Sequence, residues 1–157
     1  LRPTMIYGAA DDRNLARLIR LVRRVPVIPV PGGGDRLQQP VHVDDLAATV
    51  VACLDRPASI GRTYDVAGPE PLTFREVIAA TGAAVGRRPR ILPVPLRPAV
   101  AVARLAERVL PHPRLRAEQL ERLAEDKAFP IDAARRDLGH DPRPFAAGIA
   151  EEAALAR

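Results

Sequence analysis

Aromatic residues and cysteine are scarce in this sequence of 157 residues. It contains two Tyr, three Phe and no Trp, so it lacks the ring platform on which single-stranded nucleic acids stack. The single cysteine, Cys53, excludes an internal disulfide and a zinc site built from several thiolates. A lone thiol fits a reducing compartment, and we expect a cytoplasmic location. No apolar run approaches the ~18 residues that a membrane-spanning helix needs.

Lysine is also nearly absent, so arginine carries the basic charge. Lys127 is the one lysine among 24 basic residues, which exceed the 19 acidic residues and give a net charge of +5. Between Arg13 and Gly34 there is no acidic residue. A basic excess of this size, without a recognised nucleic-acid module, does not predict a nucleic-acid partner.

A helix at about 13–24 is predicted by its amphipathic spacing. One face carries apolar residues at helical intervals, and another carries arginines: Leu15, Leu18, Ile19 and Val22 against Arg13, Arg17, Arg20 and Arg24. We interpret the arginine face as solvent-exposed. The alternatives are contact with the phosphate groups of a ligand, with an acidic protein surface, or with a nucleic acid or membrane surface.

The order of predicted elements indicates an α/β fold followed by a small helical cap. Strands are predicted at about 2–7 and 62–67, extended segments at 25–30 and 90–95, and helices at about 13–24, 44–54, 74–85, 98–110, 115–126, 132–138 and 145–155. The helix at 44–54 is apolar on most sides, so we expect it to be buried on most sides.

Three local signals mark helix ends. Thr73 and Glu76 have the spacing of a capping box. Gly139 follows a helical segment as a C-terminal stop. Asp44 and Asp45 stand where acidic side chains cap a helix, and we expect them to be structural.

The first residues, 1–8, have the pattern of a buried strand running into a turn. Parallel strands normally have neighbours on both edges and cover on both faces, and two such strands make a poor sheet. We therefore expect the sequence to be a fragment of a larger protein.

Motifs for phosphate or metal binding are missing. No Gly-x-Gly-x-x-Gly follows a strand and no Walker loop occurs, so we interpret 32–34, the one glycine cluster, as a plain loop rather than a phosphate cradle. The histidines His42, His112 and His140 do not have metal-ligand spacing, and we expect no metal site. Cys53 lies among apolar helical residues and is expected to pack rather than react.

Several motifs occur together in a meaningful order. They are Arg-Pro-Thr-Met-Ile-Tyr-Gly at 2–8, Pro-Val-His-Val-Asp-Asp-Leu-Ala at 40–47, Tyr-Asp-Val-Ala-Gly-Pro-Glu-Pro-Leu-Thr-Phe-Arg-Glu at 64–76, and the tail at 125–139. The set resembles the C-terminal half of extended or atypical short-chain dehydrogenases/reductases, the NAD-dependent epimerase/dehydratase superfamily.

This resemblance implies the C-terminal part of a Rossmann-like parallel sheet plus a small, mostly helical substrate cap. The expected division is 1–67 for the Rossmann-like part, with 26–42 contributing to the cap, and 68–157 for the cap region. The nucleotide-binding half, with its glycine-rich loop, would precede this sequence and bind most of the NAD or NADP. The isolated chain should therefore not bind NAD(P) tightly.

The resemblance also implies where ligands lie. The strand end places three residues beside the nicotinamide: Arg2, Pro3 and Thr4. The segment before the second helix lines the substrate pocket with Gln38, Gln39 and His42. No catalytic residue is expected here, since the Tyr-x-x-x-Lys pair of the family is absent.

One departure from the family bears on the substrate. Nucleotide-sugar epimerases often carry an arginine before this histidine that grips the substrate diphosphate, because its fork of donors matches the oxygens. Here the position is Gln38, and Pro40 offers no backbone N–H, although Arg36 lies nearby. This version is more similar to the atypical branch, which includes NmrA-like regulators and an accessory subunit of respiratory complex I.

Three functional hypotheses follow. The first is part of an NAD(P)-dependent oxidoreductase or epimerase acting on a small molecule, such as a nucleotide sugar or another carbonyl or hydroxyl compound. The second is a dinucleotide-binding regulatory or accessory subunit without turnover. The third is an autonomous basic module that binds a polyanion. An oligomer is compatible with each of them.

Overall fold

Short strands and mostly longer helices make up the computed structural model, which describes residues 1–8, 15–109, 117–122 and 125–155. The strands are β1 (Arg2–Pro3), β2 (Ile6–Tyr7), β3 (Val27–Pro31), β4 (Leu37–Gln38), β5 (Val41–His42), β6 (Asp65–Val66), β7 (Leu72–Thr73) and β8 (Arg90–Val94). The helices are α1 (Leu15–Arg24), α2 (Val43–Asp55), α3 (Phe74–Ala84), α4 (Leu96–Val109), α5 (Ala117–Arg122), α6 (Asp132–Leu138) and α7 (Phe145–Leu155).

The strands pair two by two among the described residues. Three pairs are parallel, namely β1 with β6, β2 with β5, and β3 with β8; β4 and β7 are antiparallel. The predicted strand at 2–7 is therefore two short strands with different partners. The mixed α/β class and its parallel pairing are confirmed.

The longest ladder joins two proline-containing segments. β3 and β8 pair over five residues each, from Val27 opposite Arg90 to Pro31 opposite Val94. Each proline pushes the residue before it into an extended conformation, which explains why these segments are strands. The sequence predicted both as extended but did not indicate that they pair.

The main core lies between α1, α3, α7 and the β3 strand. Its fully buried side chains include Leu15, Ile19, Val22, Val30, Val77, Ile78 and Ile149. The apolar face of α1 predicted from the sequence is buried here, while Arg17, Arg20 and Arg24 on its other face are exposed. Arg13 lies outside the described residues.

Two predicted helix ends are confirmed. Thr73 accepts a hydrogen bond from the Glu76 N–H, and the Glu76 carboxylate accepts one from the Thr73 N–H, completing the capping box of α3. The Thr73 hydroxyl also donates to the Glu76 carboxylate, and this bond, together with that from the Thr73 N–H, lowers the pKa of Glu76. Gly139 ends α6 with φ of 69°, a left-handed conformation that glycine adopts without a steric penalty.

The predictions for α2 need correction. The residue that caps it is His42, whose Nδ1 accepts a hydrogen bond from the Asp44 N–H at 3.3 Å. Asp45 instead binds the Arg143 side chain, at 2.9 Å from Nη2, and the Arg143 N–H.

The expectation that α2 is buried on most sides is also wrong. Its one buried residue is Thr49, and Val50, Val51 and Leu54 are exposed. A helix is buried only where another element covers it, and no described element covers this face.

The first segment is also more exposed than its pattern indicates. Leu1, Arg2, Pro3 and Ile6 are exposed, and within 1–8 only Tyr7 is buried. β1 and β2 each have a described partner on one edge only. Among the described residues, no helix is long and apolar enough to span a bilayer.

Candidate functional site

A cleft of about 920 Å³ opens beside the ends of β1 and β4. Its walls come from the first strand, from α1, from the start of α3, and from α5 with the segment 125–129. Five of the six residues predicted to bind ligands line this cleft: Arg2, Pro3, Thr4, Gln38 and Gln39. The structure therefore gathers residues from two separate predicted sites into one cavity.

The β1 side of the cleft is held to β6. The Arg2 guanidinium binds the Asp65 carboxylate through two hydrogen bonds of 2.9 Å. The Thr4 N–H donates to Val66 O at 3.0 Å, and its hydroxyl donates to the Gln39 carbonyl. Because the Arg2 charge is already paired, this wall offers a ligand less free positive charge than the sequence indicates.

Gln39 joins three stretches of the chain. It is buried, its Nε2 donates to Gly68 O at 2.8 Å, and its Oε1 accepts from the Phe129 N–H at 2.8 Å. With the Thr4 hydroxyl on its carbonyl, Gln39 links the strand end, the loop at residue 68 and the segment 125–129. Both ends of its carboxamide are engaged within the protein, which suits a positioning role.

Gln38 differs from Gln39 in one respect that matters for a ligand. It is 5% exposed and lines the cleft, and its Nε2 has no hydrogen-bond partner within the described part of the chain. A buried amide donor without a partner is costly. A rotation of this carboxamide toward the cleft would let a ligand oxygen accept the hydrogen bond.

His42 is not among the residues that line the cleft. Its ring meets the Tyr7 ring edge-on, with centroids 5.2 Å apart. A Cβ at Gly8 would lie 2.4 Å from His42 Nε2, so only glycine fits there. Burial and the nearby Asp45 charge raise the pKa of the Tyr7 hydroxyl, which therefore stays neutral at physiological pH.

The rim of the cleft carries both signs of charge. Asp126 accepts a hydrogen bond from the Leu37 N–H at 2.9 Å and pairs with Arg36 at 3.1 Å. The hydrogen bond from Leu37, with help from Arg36, lowers the pKa of Asp126. The side chains of Arg17 and Lys127, in contrast, have no ion-pair partner among the described residues.

Part of the lining comes from the predicted cap, and no motif in the sequence indicated it. Phe74, Phe129 and Leu120 line the cleft together with Gln119 and Arg122. Two of the three phenylalanines in the sequence lie here, and their scarcity was a signal that could have drawn attention to them. Within the described residues, no three His, Cys, Asp or Glu side chains form a possible metal site.

No family model matches the chain, but curated proteins are similar to it over part of their length. Subunit 9 of the NADH dehydrogenase 1 alpha subcomplex from Arabidopsis thaliana mitochondria is 36% identical over 107 residues, covering 66% of this chain and 26% of that protein. A 2-alkyl-3-oxoalkanoate reductase from Stenotrophomonas maltophilia is 28% identical over 154 residues, covering 91% of the chain and 46% of that protein.

Sequence relatives also include a Vibrio cholerae UDP-glucose 4-epimerase, 29% identical over 98 residues, which are 61% of the chain and 29% of that enzyme. The chain is similar in sequence to members of the NAD-dependent epimerase/dehydratase group of short-chain dehydrogenases/reductases. It spans between about a quarter and a half of the length of these relatives.

Solved structures show a fold similar to that of this chain. The NAD complex of UDP-glucuronic acid 4-epimerase from Bacillus cereus superposes with a TM-score of 0.67 at 18% identity, covering 99% of this chain and 41% of that one. At this identity the likeness concerns the fold alone.

Proposed function

We propose that the chain forms the nicotinamide-side wall and the substrate cap of an NAD(P)-dependent oxidoreductase or epimerase. In this proposal Arg2, Pro3 and Thr4 border the nicotinamide, and Gln38 contacts the substrate. Residues 1–67 form the Rossmann-like part, and residues 68–157 form the cap region.

The observation that carries this proposal is that the Nε2 of Gln38, in the wall of the cleft, has no hydrogen-bond partner among the residues that the structure describes. A neutral amide recognises a carbonyl or hydroxyl oxygen as well as it recognises a phosphate oxygen, but it supplies no charge. The proposed substrate is therefore a carbonyl or hydroxyl compound, and a diphosphate is not required at this position.

A nicotinamide dinucleotide supplies the hydride donor or acceptor in such enzymes. The cleft fits this group because the residues proposed to border it lie together on one wall. In this chain Thr4 orients the wall by binding Gln39, and Arg2 fixes it to Asp65. Tyr7 and Tyr64 lack a lysine four residues later, so no proton transfer is assigned to this chain.

The second candidate is a dinucleotide-binding accessory subunit without turnover. It is favoured by the relatives from NADH dehydrogenase, a mitochondrial protein of Arabidopsis thaliana and one of Neurospora crassa. The two candidates share the cleft and differ in whether a Tyr-x-x-x-Lys pair completes the site. The cytoplasm remains the predicted location for the first candidate.

Binding to the cleft can be tested on the 157-residue chain by NMR. Titration with NADH, and separately with NADPH, should shift the backbone amide signals of Arg2, Thr4 and Gln38. Signals of the exposed α2 residues Val51 and Leu54 serve as the internal control and should not move. Affinity should be weaker than micromolar, because the pyrophosphate site of a Rossmann fold lies in its first βα turn.

A variant separates the role of Gln38 from that of its neighbour. Gln38→Leu keeps the side-chain volume and removes the amide, so it should weaken substrate-analogue binding while leaving the fold intact. Gln39→Leu removes the two hydrogen bonds of its carboxamide, to Gly68 and Phe129, and should instead destabilise the chain. Shifts confined to surfaces outside the cleft, or sub-micromolar binding by the chain alone, would contradict the proposal.

A further inference from the structure

Helix α4 buries one side and leaves an apolar stripe on the other. Val100 and Ala103 pack against Ala117 and Leu120 of α5. On the other side, Val102, Leu105 and Val109 are 67%, 62% and 72% exposed. At about 100° per residue these three positions fall on one face, so they form a continuous stripe rather than scattered apolar residues.

A row of arginines borders this stripe. At about 100° per residue, Arg97, Arg104 and Arg108 cluster together on the helix surface, on one side of the stripe. Arg104 pairs with Glu121 at 2.6 Å. The guanidinium groups of Arg97 and Arg108 form no ion pair or hydrogen bond with any described residue.

A second exposed apolar face, on α2, is accompanied by acidic rather than basic residues. Val50, Val51 and Leu54 are exposed there, yet α2 contains no basic residue and three aspartates: Asp44, Asp45 and Asp55. Apolar exposure alone is therefore common to both helices. On α4 an apolar stripe is combined with two arginines, Arg97 and Arg108, that have no ion-pair partner in the described part of the chain.

We propose that α4 binds the surface of a membrane rich in anionic lipids, with the stripe in the interface and the arginines on the lipid headgroups. A helix with an apolar face and basic residues beside it lies in the plane of the bilayer interface. Basic side chains near such a surface each add to the attraction, which falls off within a Debye length.

Charge favours this occupant over a second copy of the chain. In an antiparallel pairing through the stripe, the arginine rows of the two copies would lie next to each other, and like charges in an interface are unfavourable. An anionic bilayer supplies both an apolar layer and negative charge.

Co-sedimentation with vesicles tests the proposal. The 157-residue chain should bind vesicles of equimolar phosphatidylcholine and phosphatidylglycerol, bind phosphatidylcholine vesicles much more weakly, and detach as salt is raised. Val102→Asp with Leu105→Asp should weaken binding at least about tenfold, because it removes the inserted apolar area. Arg97→Glu with Arg108→Glu should weaken it about fivefold per arginine removed.

The matched control is Val51→Asp with Leu54→Asp on α2, which changes an equally exposed apolar face and should leave vesicle binding unchanged. Circular dichroism checks that all variants keep their helices. Binding that ignores lipid charge, or that survives the α4 substitutions, would overturn the proposal. So would a dimer, measured by sedimentation, that the α4 substitutions dissociate while vesicles are not bound.

Because this test does not involve the cleft or a nucleotide, its failure leaves the proposed function untouched. A positive result in turn says nothing about the nicotinamide. The two proposals can therefore be judged separately on the same protein preparation.

Discussion

Helices α1 and α2 are both rich in apolar residues, but they are buried to different extents. α1 carries four arginines in ten residues and still buries five side chains. α2 carries no basic residue and has the higher apolar content, yet it buries only Thr49. The difference lies in what surrounds them: α1 packs against α3 and α7 in the main core, whereas α2 has no described element over Val50, Val51 and Leu54.

This comparison shows that apolar content predicts burial only when it is arranged on one side. The apolar residues of α1 form a single stripe, which needs one partner surface. Those of α2 are spread around the helix, so covering them requires partners on several sides. The free energy of unfolding should therefore respond very differently to mutations on the buried face of α1 and on the exposed face of α2.

The largest contrast is expected between Ile19 of α1 and Val51 of α2. Ile19→Ala should lower the free energy of unfolding by about 3 kcal/mol, because it leaves a cavity in a fully buried site. Val51→Ala should change it by less than about 0.5 kcal/mol, since Val51 is exposed. Urea denaturation followed by circular dichroism measures both, and similar losses for the two variants would mean that the α2 face is covered in solution.

A loss of about 2 kcal/mol is expected for Gly148→Ala on α7, which overpacks the same core. A Cβ at this position would lie 2.2 Å from the Tyr7 hydroxyl oxygen, and Tyr7 is held between His42 and Phe145. Glycine to alanine inside a helix otherwise stabilises by about 1 kcal/mol. The sign of the change in thermal melting temperature therefore decides whether this close contact exists.

A smaller effect is expected at the rim of the cleft, where the segment 125–129 meets β4. Asp126 has a lowered pKa, so its ionised form stabilises the folded state above the ordinary aspartate pKa of about 3.9, and this contribution is lost as the pH falls through the lower folded value. The Leu37 amide signal should titrate below about pH 4. In Asp126→Asn that transition should be missing, and its persistence would assign the titration to another group.

The smallest effect is expected for the exposed arginines of α1. Arg17→Glu and Arg20→Glu should each change stability by less than about 0.5 kcal/mol, as for solvent-facing side chains. Arg17 lines the cleft and Arg20 does not, so only the first should alter binding of an anionic cleft ligand. A large stability loss in thermal melts would show that this face is packed.

Local signals in the sequence predicted the ends and faces of several helices. The capping box at Thr73 and Glu76 and the glycine stop at Gly139 depend on neighbours within four residues, and both are found where the sequence places them. The apolar stripe of α1 likewise follows from spacing alone. The ordered family motifs supplied six ligand-binding candidates, of which the structure brings five together in one cleft, and their roles stay predictions.

Contacts between distant parts of the chain could not be predicted in this way. β3 pairs with β8 across 63 positions in the sequence, since Val27 lies opposite Arg90. Gln39 reaches Phe129 across 90 positions, and no local pattern specifies that hydrogen bond. The exposure of α2 was misjudged for the same reason, because burial depends on which elements arrive above a helix.

The contact between Gly148 and the Tyr7 hydroxyl has a consequence for how homologous sequences can vary. A methyl group at position 148 conflicts chiefly with the phenolic oxygen, and less with the ring carbons, at 3.0 and 3.1 Å. Natural variants with alanine at 148 should therefore carry phenylalanine at 7 more often than chance. Such paired substitution would record, across evolution, a packing constraint that a single sequence cannot display.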